Sequence, residues 1–376
     1  MPQPVARPVF RKTEETFEPG ARTLPQRYFI SPDVLEEERE RIFSTHWMLV
    51  GHESQIARPG DYFVQDVAGE SLIIVRDQTR VRAFYNVCRH RGTRLCEERS
   101  GHSATIQCPY HAWTYALDGR LVGAPHMTGE TVPGFDKADY SLHAVNFGLW
   151  EGFIFVNLGA APESLEKWLA PLRGKFSRWN LPRLRSANRI EYDVRANWKL
   201  IFENYSECYH CPGVHPMLSK VSPSDSAEND MTEGPFLGGF MKITKGASLT
   251  MTGEVCARPV GDVQTDDDER VFYYSIFPNM LLSMHPDYVM VHQLWPQSPE
   301  RTLIACDWFF HPEAAEQPNF RPEDAFAFWD MTNKQDWHVC ELSQQGIASR
   351  AYQPGPYSSR ESIPAAWDRE YLRRMG

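Results

Sequence analysis

Residues 204–215 read Asn204-Tyr205-Ser206-Glu207-Cys208-Tyr209-His210-Cys211-Pro212-Gly213-Val214-His215. The apolar-spaced run just before this stretch predicts a helix, on which Glu207 and His210, three residues apart, would share a face. His210 and His215 lie five residues apart, which on a straight helix would point them about 140° from each other. Pro212 and the glycine after it interrupt the helix, so the chain can bring His215 back toward His210.

The residue types of this stretch are those of a metal site. Two neutral imidazoles, at His210 and His215, and one distant carboxylate would form a facial 2-His-1-carboxylate site, the open-sided arrangement of non-haem Fe(II) oxygenases. Two alternatives stay open at this point. The histidines can be unrelated residues near a turn, or Cys208 and Cys211 can form a Cys-x2-Cys zinc site with His215.

The composition is that of a large globular protein with an acidic charge balance. The 376 residues suffice for two domains, and 42% apolar and 12% aromatic residues can fill a large core. The net charge of −10 argues against nucleic acid or an anionic membrane as partner, because both attract basic patches. The N-terminal residues lack the apolar segment of a signal peptide, and no apolar run approaches the roughly 18 residues of a membrane span. We therefore expect a cytoplasmic protein, in which the eight cysteines are free thiols and metal ligands rather than disulfides.

Changes in residue pattern divide the chain into three parts. Residues 1–46 predict an N-terminal arm and a helix that packs on the C-terminal domain. Residues 47–160 hold short β-branched and aromatic runs between turn signals, which predicts a small antiparallel β domain. Residues 161–376 predict a larger domain with a central antiparallel sheet flanked by helices. The predicted fold class is therefore α+β.

Several local features are also predicted. The dipeptide Ser31-Pro32 predicts the N-cap of a helix that runs to Phe43. A helix is expected over residues 163–182, and a long one over residues 322–345 that ends at Gly346. The polar residues 221–236 predict a mobile loop.

A second motif has the form Cys-x-His…Cys-x2-His: Cys88-Arg89-His90 is followed, after seventeen residues, by Cys108-Pro109-Tyr110-His111. A tetrahedral zinc ion can use the same four ligands. Zinc sites, however, usually pair cysteine with cysteine first and histidine with histidine later. The alternating order suits a [2Fe–2S] cluster in which one iron takes both thiolates and the other both imidazoles, the Rieske arrangement. The motif therefore favours a Rieske cluster over structural zinc.

The two motifs together resemble those of the oxygenase (alpha) component of a Rieske non-haem iron oxygenase. The family's motif residues are matched at Cys88, His90, Cys108 and His111 for the cluster and at Asn204, Glu207, His210 and His215 for the mononuclear iron. Many members carry Asp at the position of Glu207, which has one more methylene of reach. Because the resemblance assigns iron to the histidines, Cys208 and Cys211 are expected to be small core residues beside the site.

The resemblance also implies a third iron ligand, an Asp on a late helix. The candidate is Asp336, which matches a family pattern of Asp followed five residues later by Glu and then by Gln and Gly. Asp330 and Glu341 are the competitors. Glu341 would lie on a different helical face from Asp336, so the two should not both bind iron.

The resemblance implies a division of labour among several proteins. A separate flavin or iron–sulfur reductase would take electrons from NAD(P)H and pass them to the cluster, which supplies the mononuclear Fe(II) where O2 binds. In the family, the cluster and iron of one subunit are too far apart, and the useful pair lies across an interface of a homotrimeric ring. Glu207 would then connect His210 to a cluster histidine, His111 or His90, of the neighbouring subunit through hydrogen bonds.

The substrate is expected to be a small molecule. Residues 332–336 and 349–358 resemble the glycine-betaine-oxidising branch, which hydroxylates an N-methyl carbon and releases formaldehyde. A quaternary ammonium group would need an aromatic cage. The candidate rings, each of which core packing also explains, are Tyr205, Tyr209, Phe272, Tyr273, Phe328 and Trp329.

Two other functions remain open. An aromatic-ring-hydroxylating dioxygenase alpha subunit would use the same rings to line an apolar slot. A pure electron-transfer Rieske protein would need neither the second motif nor Asp336, and would hold about two iron atoms per chain rather than about three. The histidines without ligand partners at useful spacing are expected to be surface or satisfied core residues: His102, His126, His285, His292, His311 and His338.

Overall fold

A computed structural model describes residues 8–261 and 269–376. Contacts between Cα atoms divide the chain into two compact units. The small unit is Phe43–Pro171, and the large unit is Leu172–Gly376 together with the N-terminal residues up to Ile42.

The N-terminal part holds a short strand and two helices: β1 (Arg11–Lys12), α1 (Arg27–Ile30) and α2 (Pro32–Glu38). The Ser31 hydroxyl accepts a hydrogen bond from the Val34 N–H at 3.4 Å, which confirms the predicted N-cap. The predicted continuation to Phe43 is a π-helical turn, Arg39–Phe43. The first seven residues of the predicted arm lie outside the described residues.

The small unit is built from short antiparallel strands. In chain order they are β2 (Met48–His52), β3 (Asp61–Val67), β4 (Glu70–Arg76), β5 (Val81–Tyr85), β6 (Ser100–His102), β7 (Thr105–Gln107), β8 (Thr114–Ala116), β9 (Leu121–Gly123), β10 (Asn146–Trp150) and β11 (Phe153–Asn157). They form three sheets with strand orders β5-β4-β3-β6, β7-β8-β9 and β10-β11-β2. The predicted small antiparallel β domain is confirmed.

A buried cluster of apolar side chains lies between two of these sheets. Trp113 and Tyr115, at 2% and 0% exposure, pack there with Ile73, Val75 and Phe84. The loops after β5 and after β7 adjoin this cluster, since Cys88 and Cys108 belong to it. The fold thus gives two neighbouring loops a rigid base.

The large unit is organised on one eight-stranded antiparallel sheet, with strand order β1-β13-β14-β15-β16-β17-β18-β12. Its further strands are β12 (Arg185–Val194), β13 (Glu228–Met231), β14 (Phe236–Lys242), β15 (Arg270–Ile276), β16 (Met280–Met284), β17 (Val289–Ser298) and β18 (Arg301–Phe310). The helices that follow α3 (Leu165–Trp168) of the small unit are α4 (Trp198–Tyr205), α5 (Cys211–Val214), α6 (Pro216–Val221), α7 (Pro322–Ile347) and α8 (Ser362–Met375). The predicted class, α+β with a central antiparallel sheet and flanking helices, is confirmed.

Three local predictions differ from the structure. The helix expected over residues 163–182 is only the single turn α3 followed by 3₁₀ turns. The polar residues 221–236 are not merely a loop, because they contain β13, whose Asn229 is 9% exposed and pairs with Arg11 of β1. Helix α7 continues one residue beyond Gly346, which therefore is not its stop. In the described ranges, no helix combines the length and the apolarity needed to cross a membrane.

Candidate active site

The loop after α4 brings Glu207 and His210 together. Helix α4 begins at the N-cap Asn197, whose Oδ1 accepts the Lys199 N–H at 3.1 Å, and ends at Tyr205. Glu207 therefore lies beyond the helix, and the predicted shared helical face is wrong. Its carboxylate instead closes a turn: Oε2 accepts the backbone N–H of His210 at 3.3 Å, and Oε1 lies 2.5 Å from His210 Nδ1.

Three ligand atoms converge on one point. His210 Nε2 lies 3.2 Å from His215 Nε2 and 3.1 Å from Asp336 Oδ1. His215 Nε2 lies 2.8 Å from the same Asp336 oxygen. The short helix α5 between the two histidines makes the predicted return of the chain, and α7 supplies the carboxylate. Two imidazoles and one carboxylate thus aim at a common centre.

The remaining nitrogen of each imidazole is held from behind. His210 Nδ1 contacts Glu207, and His215 Nδ1 lies 2.8 Å from Gln335 Oε1. Such partners fix the ring orientation and the tautomer of metal-binding histidines. The sequence analysis missed the role of Gln335, although its position directly before Asp336 was an available signal.

The electrostatics of this centre favour a cation. Burial lowers the pKa of His210, but hydrogen bonds to Asp336 and Glu207 outweigh it and raise that pKa to about 10. Burial raises the pKa of Asp336, but the two histidines outweigh it and hold the pKa below its usual value. The carboxylates that stabilise a proton on His210 would equally stabilise a divalent ion, which takes the place of that proton when it binds. The donor set, two imidazole nitrogens and one carboxylate oxygen, fits Fe(II) with open coordination positions.

The competing carboxylates point elsewhere. Asp330 accepts the Tyr192 hydroxyl at 3.1 Å, and Glu341 accepts the Arg195 backbone N–H at 2.9 Å. Asn204 lies in the last turn of α4 and lines the cavity beside the histidines.

The two cysteines that flank His210 depart from expectation. Cys208 and Cys211 form a disulfide, so the prediction of free thiols is wrong for this pair. Two residues that are three apart and separated by a turn can bring their sulfur atoms together, which the sequence spacing alone did not reveal. The other six cysteines are free and buried.

A cavity of about 120 Å³ opens onto the three converging atoms. Its aromatic lining comes from several elements of the large unit: Tyr205, Tyr209, Phe240, Tyr273, Trp329 and Trp337. Of the proposed cage rings, Phe272 does not line the cavity and packs instead against Trp179 at 5.0 Å. Phe328, which is 1% exposed, does not line it either.

The two loops of the Cys-x-His…Cys-x2-His motif have matching backbones. In the first, the Gly92 N–H donates to the Cys88 carbonyl at 3.0 Å, and in the second, the Ala112 N–H donates to the Cys108 carbonyl at 3.1 Å. Gly92 and Ala112 both have positive φ angles, of 76° and 56°. Each loop therefore turns back four residues after its cysteine and can present that cysteine and the following histidine side by side.

Neighbouring side chains contact three of the four candidate cluster ligands. The rings of His90 and His111 lie 4.8 Å apart, and Trp113 stacks on His90 at 4.7 Å. The Tyr115 hydroxyl accepts the Arg89 N–H at 3.0 Å, which leaves its proton to be donated to Cys88 Sγ at 3.4 Å. Burial, His111 and Arg91 lower the pKa of His90, which favours the neutral imidazole that binds a metal. Two thiols and two imidazoles on paired loops are the ligand set of a [2Fe–2S] cluster of the Rieske type.

The other histidines do not form one class. His102 is paired at the surface with Asp61 at 2.8 Å, while His126 and His338 are exposed. His285 and His292 are buried, yet no described residue pairs with either ring nitrogen of either side chain. The prediction of satisfied core residues is therefore wrong for these two.

Comparison with known families matches both parts of the chain. Residues 181–376 match the family described as Ring hydroxylating alpha subunit (catalytic domain). Residues 46–136 match the family described as Rieske [2Fe-2S] domain.

Characterised relatives extend over most of the sequence. The glycine betaine monooxygenase oxygenase subunit of Chromohalobacter salexigens is 32% identical over 375 residues, which cover 90% of this chain and 82% of that protein. The carnitine monooxygenase oxygenase subunit of Escherichia coli (strain K12) is 32% identical over 340 residues, covering 88% of this chain and 86% of that protein.

Solved structures show the same architecture. The quaternary ammonium Rieske monooxygenase CntA in complex with L-carnitine has a TM-score of 0.77 at 27% identity, covering 96% of this chain and 98% of that one. Naphthalene 1,2-dioxygenase from Rhodococcus sp. has a TM-score of 0.76 at 21% identity, covering 94% of each chain, which is a likeness of fold alone.

Proposed function

This chain belongs to the Rieske non-haem iron oxygenases as an oxygenase (alpha) component, and from that premise we propose that it hydroxylates an N-methyl carbon of a quaternary ammonium compound. One observation carries the proposal. The convergence point of His210, His215 and Asp336 adjoins a cavity that tyrosine, phenylalanine and tryptophan rings from several elements help to line. Such rings bind a trimethylammonium group through cation–π attraction, which persists after the cation has lost its water.

We assign His210, His215 and Asp336 to the mononuclear Fe(II), and Cys88, His90, Cys108 and His111 to the [2Fe–2S] cluster. When bound, the cluster would relay electrons from NAD(P)H through a reductase, and the iron would supply O2 activation. Glu207 and Gln335 hold the two imidazoles in place from behind. In the homotrimer that the family implies, Glu207 would also reach a cluster histidine of the adjacent subunit.

The assignment of Asp336 is testable by iron content. We expect Asp336→Asn to lower iron from about three to about two atoms per chain, with the cluster absorbance unchanged. The matched control is Asp330→Asn on the same helix, which should keep about three, because Asp330 binds Tyr192 and Lys334 instead. Loss of the third iron from Asp330→Asn alone would refute the assignment.

The cage that we propose uses three rings. Tyr205 and Tyr273 have ring centroids 6.1 Å apart at 76°, and Tyr273 and Trp329 have centroids 6.5 Å apart at 67°. Two of them are anchored: the Tyr205 hydroxyl pairs with Ser283 Oγ at 2.9 Å, and the Trp329 indole N–H donates to the Tyr288 hydroxyl at 2.6 Å. Fixed rings lose little entropy when they receive a ligand, which favours binding.

The charge around the cavity supports a cationic substrate. Its described lining carries four carboxylates, at Glu14, Glu207, Asp225 and Asp336, against Arg360 as the one arginine or lysine. Arg360 in turn lies 3.8 Å from Glu14. Four negative charges exceed one arginine and the two charges of the proposed Fe(II) taken together, so a cation is favoured over an anionic aromatic acid at this site.

The proposed reaction balances as a monooxygenation followed by collapse. One oxygen atom of O2 enters a methyl C–H bond, and the other leaves as water with an electron pair from NAD(P)H and two protons. The N–CH2–OH product then breaks its C–N bond. Nitrogen keeps the electron pair, the hydroxyl proton is lost, and formaldehyde leaves with the demethylated amine.

Formaldehyde release tests the proposal. Iron-loaded enzyme would receive a surrogate reductase, NADH and O2, with glycine betaine, carnitine, proline betaine and benzoate in parallel. We expect substrate-dependent formaldehyde with at least one betaine and none with benzoate. A hydroxylated product from benzoate without formaldehyde from any betaine would favour aromatic-ring hydroxylation and overturn the proposal.

A further inference from the structure

Three described residues of the cavity lining carry buried polar atoms without a partner: Ser206, His292 and Trp337. His292 is the one with two such atoms. His292, in the middle of β17, is 2% exposed and lines the cavity. Neither Nδ1 nor Nε2 makes a hydrogen bond of ordinary geometry with a described residue, although the Asn333 side chain lies close enough to raise the pKa of the ring. Buried polar groups are almost always paired, in the protein or with a bound molecule. An unpaired imidazole that faces a cavity therefore indicates a ligand.

The position of His292 is set by rigid elements. Its Cα pairs with Leu281 of β16 on one side and with Cys306 of β18 on the other. Its ring lies 6.3 Å from that of Tyr205, a proposed cage residue, and 6.0 Å from that of Trp337, the neighbour of Asp336 in the chain. His292 thus lies beside a proposed cage ring and beside helix α7, which carries Asp336.

The chemistry of His292 is that of a neutral donor and acceptor. Burial lowers its pKa to about 4, although Asn333 and Asp336 oppose the shift. A neutral imidazole carries one N–H donor and one acceptor nitrogen. Arg360 lies 3.8 Å from Glu14, which leaves Ser206, His292 and Trp337 as the unpaired polar groups of the described lining. Of these we select His292, because its ring lies 6.3 Å from that of Tyr205 and carries two unpaired nitrogens.

We propose that His292 donates a ring N–H to an oxygen substituent, hydroxyl or carboxylate, of the quaternary ammonium substrate. The inference rests on the proposed function and deepens it. The cage holds the trimethylammonium group and His292 holds the oxygen, so the substrate is attached at two points. Two-point attachment limits rotation, which keeps one N-methyl group directed at the convergence point of the proposed iron ligands.

Ligand affinity of the iron-loaded enzyme under nitrogen tests the proposal. The ligands are choline, glycine betaine, carnitine and propyltrimethylammonium, in which a methyl replaces the choline hydroxyl. The variants are His292→Phe, which keeps an aromatic ring without donors, and His292→Gln, which keeps an N–H. The matched control is His285→Phe, because His285 is equally buried and unpaired but stacks on Tyr288 at 4.0 Å and does not line the cavity.

The expected result is a selective loss. His292→Phe should weaken the oxygen-bearing ligands by about tenfold, the usual effect of one lost hydrogen bond, and change propyltrimethylammonium affinity by less than about twofold. His292→Gln should recover part of the loss, and His285→Phe should discriminate between ligands as the unmodified enzyme does. If His292→Phe weakens choline more than glycine betaine, His292 binds a hydroxyl oxygen. If it weakens glycine betaine more, His292 binds a carboxylate oxygen.

Two results would overturn the inference, and they differ in what else they overturn. An equal loss for propyltrimethylammonium would make His292 a packing residue while leaving the proposed function intact. Failure of the unmodified enzyme to bind any of the four ligands would overturn the proposed function and this inference together. Formaldehyde formed per NADH consumed gives a second readout, which should fall in His292→Phe because a poorly oriented substrate uncouples the reaction.

Discussion

Individual residues of the candidate iron site are positioned by partners of different charge. Glu207 places a carboxylate behind His210, whereas Gln335 places a neutral amide behind His215. A carboxylate partner raises the basicity of an imidazole more than an amide partner does, because the carboxylate stabilises the ring N–H more strongly. The two histidines are therefore predicted to differ in how strongly they hold a metal and how much they depend on their partners.

Removing the amide behind His215 should weaken iron binding. We expect Gln335→Leu to lower Fe(II) affinity by roughly 10- to 100-fold, because the freed ring can rotate away from the metal. Gln335→Glu should keep most of the affinity. Anaerobic titration of the metal-free protein with Fe(II) measures this, with Gln345→Leu, exposed on the same helix, as the control. An equal effect of both leucine substitutions would point to damage of α7 rather than to lost support of His215.

Removing one hydroxyl should change the potential of the cluster. The Tyr115 hydroxyl lies 3.4 Å from Cys88 Sγ, and a hydrogen bond to a cluster thiolate stabilises the reduced state. We expect Tyr115→Phe to lower the reduction potential by on the order of 50 mV, which for one electron is the equivalent of about 1 kcal/mol. Protein-film voltammetry would measure it, with the exposed Tyr110→Phe as control. An unchanged potential in Tyr115→Phe would mean that the hydroxyl does not donate to the sulfur.

At the scale of elements, the position of α7 along its own axis determines whether Asp336 reaches the candidate site. Three of its polar side chains fix the helix along its length. Asp330 binds the Tyr192 hydroxyl, Glu341 accepts the Arg195 N–H, and Gln344 accepts the Asn197 N–H, each at 2.9–3.1 Å. A slide of α7 by one residue would turn Asp336 away by about 100°. The carboxylates that do not converge on the site are therefore needed to place the one that does.

Helices α4 and α8 meet through a pair of buried acids. Burial and the charge of Asp368 raise the pKa of Glu203. Burial also raises the pKa of Asp368 from 3.8 to about 7, although hydrogen bonds to Tyr357 and Glu203 oppose the shift. The folded protein thus keeps a proton that the unfolded chain loses, so the free energy of unfolding should fall as pH rises from about 4 to 7. The slope should reach ~1.4 kcal/mol per pH unit for one proton.

Substitution of Asp368 should flatten this pH dependence. We expect urea unfolding of Asp368→Asn to show a smaller loss of stability between pH 5 and pH 7 than the unmodified protein, because the acid that holds the proton is gone. The exposed Asp33→Asn is the control and should keep the full slope. A parallel slope in Asp368→Asn would assign the proton to another group.

At the scale of the whole molecule, each metal motif belongs to its own compact unit. The cluster candidates lie within Phe43–Pro171, and the iron candidates lie within Leu172–Gly376. The change in residue pattern near residue 160, which divided the chain in the sequence analysis, reflects this separation, because each unit has its own buried core. In the proposed electron transfer between subunits, the small unit of one chain gives an electron to the large unit of the next chain.

Mixed oligomers test this division of roles. A chain with Cys108→Ser should lack the cluster, and a chain with Asp336→Asn should lack the mononuclear iron, so each is expected to be inactive alone. Co-assembly in a head-to-tail ring should restore activity to at most about a quarter of the unmodified level, since random mixing leaves that share of interfaces with both intact groups. The separately purified variants, mixed without subunit exchange, are the control. No recovery in verified mixed oligomers would contradict transfer between subunits.

The sequence by itself determined the class of protein and the local chemistry. The spacing in residues 204–215 and in the two cysteine–histidine pairs identified the Rieske oxygenase family, which the family matches confirmed. Runs of β-branched and aromatic residues predicted short strands in both units, because burial of one or both faces of a strand leaves a pattern within a few residues. These features are local, and local spacing is what a single sequence records.

Only the tertiary structure decided which distant side chains meet. Asp336 contacts His215 across 121 residues, and the choice among it, Asp330 and Glu341 depended on the register of α7. The partner role of Gln335, the pairing of β1 with β13 and the unpaired ring of His292 likewise arise from contacts between elements far apart in the chain. No spacing rule encodes such contacts, because they depend on how the sheet, α4 and α7 pack together.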